Sequence, residues 1–172
     1  MTIQLAGNAA SSMSSSLSLG SPLVAGSGGT GVTTYVPPDK VLMWRNAAFT
    51  AAAAWSKVPV DSVLFDTGSI ADLTNSRITP KKSGYYTVTG RCSANFAGAG
   101  RLLPAIYKNG SLACRGNDIS STAAALIGGV VHAVIQCNGT TDYLELYPYF
   151  GTSANLEVGS YDVAFLSAVG PF

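Results

Sequence analysis

One histidine, nine carboxylates and three cysteines supply nearly all the reactive chemistry of this 172-residue chain. A catalytic site needs several titratable groups converging on one point. His132 stands alone, on what reads as the polar register of a strand, which is the place of a structural or surface group. Asp61 and Asp66 are an odd number of residues apart, so a strand would send them to opposite faces. Asp142 and Glu145 diverge for the same reason, and no paired-carboxylate pattern emerges. Gly26-Ser27-Gly28-Gly29-Thr30-Gly31 lacks the Lys-Ser/Thr that would make it a phosphate loop. Cys92, Cys114 and Cys137 are odd in number and have no C-x-x-C spacing, against a disulfide framework or a zinc site. They read as buried free thiols of a protein made in a reducing compartment. Asn117-Asp118 is too thin a cluster of oxygens for calcium. The expectation is a protein that is not an enzyme and uses no cofactor and no metal.

Composition narrows the partners. Charged residues make up 11% and the net charge is +1, against roughly 25% charged residues in ordinary soluble domains. A nucleic-acid binder carries a basic footprint, and none is visible. Nor are there the Lys/Arg clusters of a membrane-surface helix. The longest uncharged interior run is Ile119 to Thr141. Its apolar part, Ala123 to Ile135, is shorter than the ~20 residues of a spanning helix and is interrupted by Gly128-Gly129 and His132. It reads as a buried strand. The N-terminus shows no basic region followed by an apolar one, so no signal peptide is expected.

The elements fall into two regions. The first charge is Asp39, and 18 of the 26 positions from Ala6 to Gly31 are Gly, Ala or Ser. Such a segment buries too little apolar area to fold alone, yet it lacks the charges of a solvated linker. It reads as an extended arm over residues 1–40 that lies along another protein. Small side chains allow close approach, while Ile3, Leu5, Met13, Leu17, Leu19, Leu23 and Val24 supply anchors for shallow pockets. Val36-Pro37-Pro38-Asp39 stiffens the exit.

Residues 41–172 read as strands and turns. From Tyr85 to Phe96 the chain alternates: Tyr86, Val88, Gly90, Cys92, Ala94 and Phe96 on one face, polar residues on the other. Asn109-Gly110 and Asn138-Gly139 follow apolar runs and predict hairpins; both also head glycosylation acceptor triplets, for which the turn is the better reading. Asp142 to Phe150 predicts a strand with Leu144 and Leu146 inward and Tyr143, Tyr147 and Tyr149 outward. Tyr161 to Val169 predicts the last strand. Val58 to Phe65 and Ala48 to Ala51 are weaker candidates. Short strands with regular turns indicate an all-β antiparallel sandwich or jelly roll.

The order of several segments resembles the C1q/TNF-like jelly-roll family. These are Ala48-Phe49-Thr50-Ala51, Phe65-Asp66, Ile78-Thr79-Pro80, Gly84-Tyr85-Tyr86, and Thr141-Asp142-Tyr143-Leu144-Glu145-Leu146. The resemblance covers about residues 47–170; it departs from the family at Thr141, where Gly is preferred, and at the close of the last strand. It implies a homotrimeric binding or structural module with two antiparallel sheets per subunit. Tyr143, Tyr147 and Tyr149, on the non-core face, are the expected trimer interface. The stretch from Pro22 to Thr33 resembles Gly-Gly-Thr-Gly segments of bacteriophage tail-fibre and other virion proteins. Together these suggest a decoration (cement) protein on the outer surface of a phage capsid, made in the host cytoplasm, its arm docked on the major capsid protein. The alternative is a tail-fibre tip or receptor-binding knob that recognises a host glycan or protein.

Overall fold

The computed structural model describes residues 36–172. Among these it forms fifteen strands: β1 (Asp39–Trp44), β2 (Thr50–Ala51), β3 (Ser62–Asp66), β4 (Ala71–Asp72), β5 (Arg77–Ile78), β6 (Ser83–Phe96), β7 (Gly100–Leu103), β8 (Ala105–Lys108), β9 (Ser111–Arg115), β10 (Ile119–Ser121), β11 (Ala125–Asn138), β12 (Leu144–Leu146), β13 (Tyr149–Phe150), β14 (Ala154–Leu156) and β15 (Ala164–Gly170). The first strand takes in Asp39 and Lys40, which the sequence places with the arm; they pair with Gly170 and Val169. Residues 1–35 of the arm, with Ile3, Leu5, Met13, Leu17, Leu19, Leu23 and Val24, lie outside the described residues.

All pairings are antiparallel. One layer runs β2-β14-β6-β15-β1-β3, with β11 along the other side of β6. The second layer is β4-β5-β12-β8-β9, continued by β10-β7-β13. The alternation of Tyr85 to Phe96 is realised as expected. Tyr86, Val88, Cys92, Ala94 and Phe96 are buried, and join Ile127, Val131 and Ile135 of β11 and Leu166 and Ala168 of β15. Opposite them lie Ile78, Leu102, Ile106, Leu144, Leu146 and Phe150. Each such side chain contributes roughly 1.5–3 kcal/mol on burial. Gly90 falls in the inward series because Leu146 occupies its space: a Cβ there would lie 2.7 Å from the Leu146 Cδ1.

Several boundaries differ from the sequence reading, each for a local reason. Leu102 to Lys108 is two strands, because Pro104 has no N–H for a continuous ladder. Pro148 likewise divides the predicted Asp142 to Phe150 strand into β12 and β13, which belong to different sheets. Tyr161 to Val163 form a turn, held in part by the Ser160 hydroxyl donating to Asp162, and the last strand starts at Ala164. Asn138-Gly139 is not a hairpin, because β12 pairs with β5 and β8 rather than with β11. The turn crosses between layers instead. The Asn138 Oδ1 accepts from the backbone N–H groups of Thr140, Thr141 and Asp142 at 2.9, 3.0 and 3.1 Å.

Asn109-Gly110 does close the β8–β9 hairpin, with φ of 54° and 75°. Both values are left-handed, as a two-residue primed turn requires. Gly110→Val is therefore expected to lower stability by roughly 1–2 kcal/mol. The check is a fall in the urea midpoint at unchanged slope.

Candidate functional site

The carboxylates hold the scaffold. Asp61 accepts from the N–H groups of Asn46 and Ala47 and from the Arg45 guanidinium at 2.9 Å. Burial pushes its carboxyl upward, but these donors outweigh it and hold the group below the ordinary aspartate value. Asp66 accepts from the N–H groups of Gly68, Ile70 and Ala71. Glu145 is buried on Lys57, and Asp39 on Lys82 at 2.7 Å. The Asp142 carboxylate receives the Asn109 amide, the Lys108 ammonium at 2.9 Å and the Asn138 N–H. Asp142 is held below its ordinary value by Asn109 first and Lys108 second. A cavity of about 280 Å³ opens beside this cluster, lined by Ser83, Lys108, Gln136, Cys137, Asn138 and Asp142. Its Lys108 and Asp142 neutralise each other.

The thiols are free. Cys92 and Cys137 are buried, and burial pushes them up to about 12 and about 11. Cys114 is only half-buried, a correction to the expectation that all three lie inside. His132 is exposed on β11, its Nδ1 2.8 Å from the Thr89 hydroxyl.

The three tyrosines are half-buried among groups of their own chain. Tyr143 precedes β12 and lies under the Arg77 guanidinium, 4.5 Å from ring centroid to Cζ. Tyr147 stacks on Tyr107 at 4.5 Å, and Tyr149 of β13 meets Trp55 at 5.5 Å. Pro148 breaks the strand between Tyr147 and Tyr149, and Tyr107 and Trp55 of the same chain pack on these two rings. Trp55 also lies 5.9 Å from Tyr107, so four rings form one cluster. Arg101 stands over Tyr149 at 5.6 Å and Arg115 over Trp55 at 5.8 Å.

The bare apolar surface is elsewhere. Along β11 every second residue points outward, and Leu126, Val130 and Val134 are 58%, 46% and 64% exposed. The run reads from sequence as wholly buried; it is buried on one side only. His132 lies on this same outward register, between Val130 and Val134, so the register is apolar rather than polar. Tyr85, 53% exposed, extends the patch onto β6, beside Gln136. Phe65 of β3 is exposed at the far edge of the sheet. The outward positions of β11 (Leu126, Gly128, Val130, His132, Val134, Gln136) carry no formal charge. Part of the free edge of β11 is closed: Asn117 exchanges hydrogen bonds with the Val130 backbone, and Lys108 donates to the Gln136 carbonyl.

The two-layer antiparallel arrangement is that of a C1q/TNF-like jelly roll. A crystal structure of murine APRIL at pH 5.0 is similar, with a TM-score of 0.59 and 12% identity over 78% of this chain and 99% of that one. Eiger TNF from S. frugiperda has a TM-score of 0.58 and 10% identity, covering 80% and 94%. The globular domain of zebrafish complement 1qA protein has a TM-score of 0.50 and 15% identity, covering 79% and 97%. No family model and no curated protein sequence matches the chain.

Proposed function

We propose that the chain is a non-enzymatic structural protein of a bacteriophage particle: a homotrimeric knob that decorates the capsid and, through its leading arm, cements neighbouring capsid subunits. The bare face of β11 and β6 carries the associative part of this reading. Three large aliphatic side chains and a tyrosine on one side of a sheet mark an interaction surface. A second copy is the occupant this face suits best. Its β11 positions are uncharged, with Arg91 of β6 standing beside Val130, and the partial closure of the β11 edge favours contact through side chains over strand addition. Three copies is the number that the C1q/TNF-like resemblance implies.

The decoration role draws on the uncharged Gly/Ala/Ser-rich arm and its likeness to virion segments. Three arms on one trimer add avidity, so weak individual pockets suffice. Burying arm area on the shell at about 25 cal/mol per Å² would oppose its expansion. The carboxylates named above hold backbone N–H groups or cations of the fold, which fits a structural role for them.

The test is stoichiometry on intact particles. Hundreds of copies per particle is the expected result, and tens or fewer contradict decoration and favour a tail position. Leu17→Asp and Leu23→Asp in the full chain are expected to weaken binding to isolated heads while the far-UV spectrum and oligomer mass stay unchanged. Head binding unchanged in both variants would remove pocket anchoring from the account. The second reading, a receptor-binding tip, is favoured by the aromatic and arginine cluster on the other layer.

A further inference from the structure

From the ring cluster around Trp55 we infer a binding site for an acidic carbohydrate, in which one sugar ring stacks on the aromatic wall and its carboxylate pairs with Arg115. This goes beyond the structural role proposed above and holds whether the knob sits on a head or a tail. Trp55, Arg101, Leu103, Arg115 and Tyr149 line an open cavity of about 180 Å³. That is below the roughly 300–1,000 Å³ of sites for drug-sized molecules, and suits a single ring of a longer chain.

The chemistry of the lining selects the ligand. Trp55 and Tyr149 are half-buried, tilted by 59° to each other, and backed by Tyr107 and Tyr147. Such a rigid wall offers ring faces at little loss of side-chain entropy. The C–H faces of a pyranose pack on rings of this kind, leaving the hydroxyls at the rim. Two cations flank the wall, but they differ. Arg101 is already engaged by Asp118 through two hydrogen bonds of 2.9 and 2.6 Å. The Asp118 carboxyl is held low by that pairing, and the pair presents donors and acceptors to hydroxyl groups. Arg115 has no ion-pair partner among the described residues. It is exposed, at the end of β9, and its guanidinium lies over Trp55. The local surplus is one positive charge of planar, forked geometry, which matches a carboxylate. A nucleic acid strand would need a row of cations rather than one. The site is built from the layer opposite the bare β11 face, so self-association through that face leaves it open.

The test uses the full chain and three acidic probes: tetragalacturonate, a hyaluronan tetrasaccharide and sialyllactose. Methyl-esterified tetragalacturonate and lactose serve as neutral counterparts, with oligo-dT as a competitor class. Binding is followed by calorimetry. At least one acidic probe is expected to bind saturably, and at least tenfold tighter than its neutral form. Arg115→Gln is expected to remove that preference while leaving thermal unfolding unchanged, because the side chain is exposed and unpaired. Tyr147→Ala, which removes backing from the wall, is expected to weaken acidic and neutral forms alike. The inference is overturned if no acidic probe binds, if acid and neutral forms bind equally, if Arg115→Gln keeps the preference, or if oligo-dT binds more tightly than every sugar. None of these outcomes bears on trimer mass or head binding, so the proposal fails separately from the cement reading.

Discussion

Val134→Asp is expected to convert the proposed trimer into folded monomers. Val134 is the most exposed of the three aliphatic residues on the β11 face. In a homotrimer closed through this face, every copy would carry the new carboxylate into contact with a neighbour. Placing an unpaired charge there costs at least about 2 kcal/mol per copy. Three copies make that about 6 kcal/mol, or roughly a 10,000-fold loss in the association constant. In the monomer the same side chain is in water, and the pairing of Val134 with Thr87, and of Thr87 with Val169 beyond it, is untouched. The fold should therefore survive, with an unchanged far-UV spectrum. Sedimentation velocity would show the change. Leu73→Asp, in the exposed turn before β5, serves as the control and is expected to leave the mass unchanged. A variant at Val134 that sediments like the wild type would remove this face from the interface.

Asp142→Ala is expected to produce the largest loss of stability from a single polar side chain. The carboxylate ties the β8–β9 hairpin, through Lys108 and Asn109, to the crossover after β11, through the Asn138 N–H. Its removal leaves the Asn138 N–H and the Asn109 amide without this acceptor, and the Lys108 ammonium on the Gln136 carbonyl alone. Losing a charged hydrogen-bond acceptor of this kind costs about 1.5–3 kcal/mol. The pH dependence has a definite sign. The Asp142 carboxyl titrates below its ordinary value of 3.8 in the folded chain. Its stabilisation is thus fully present above about pH 4–5 and disappears as the pH falls through the lower, folded value. The gap between wild type and Asp142→Ala in urea midpoint should be widest near pH 7 and should narrow below pH 4. A gap that held constant down to pH 2 would assign the effect to packing rather than to the ionised group.

How far the sequence leads depends on which face of each strand it specifies. The inward series of β6 is legible because polar residues mark its other side. β11 is not, because Leu126, Val130 and Val134 are as apolar as the buried Ile127, Val131 and Ile135. An unbroken apolar run looks alike whether it is covered on both sides or awaits a partner. The one available signal is His132, which marks the outward register of an otherwise apolar face. Asn109-Gly110 announced its hairpin, whereas Asn138-Gly139, of the same chemistry, turns the chain across the sandwich. Local turn preference fixes the bend and not the strand that receives it. The binding cluster was less legible still. Trp55, Arg101, Arg115 and Tyr149 are scattered over almost a hundred positions and share no motif. Pairing of β7 with β13 and of β8 with β9 is what gathers them. Tyr147 and Tyr149 read from the sequence as outward tyrosines, but nothing there shows that Tyr107 and Trp55 pack on them.

The mass of the full chain in solution, by sedimentation equilibrium across a hundredfold dilution at neutral pH, tests the self-association of the knob most directly. The account predicts a single species at three times the 17.6 kDa chain mass. A species of 17.6 kDa throughout that range, with the β11 face open to solvent, would contradict it.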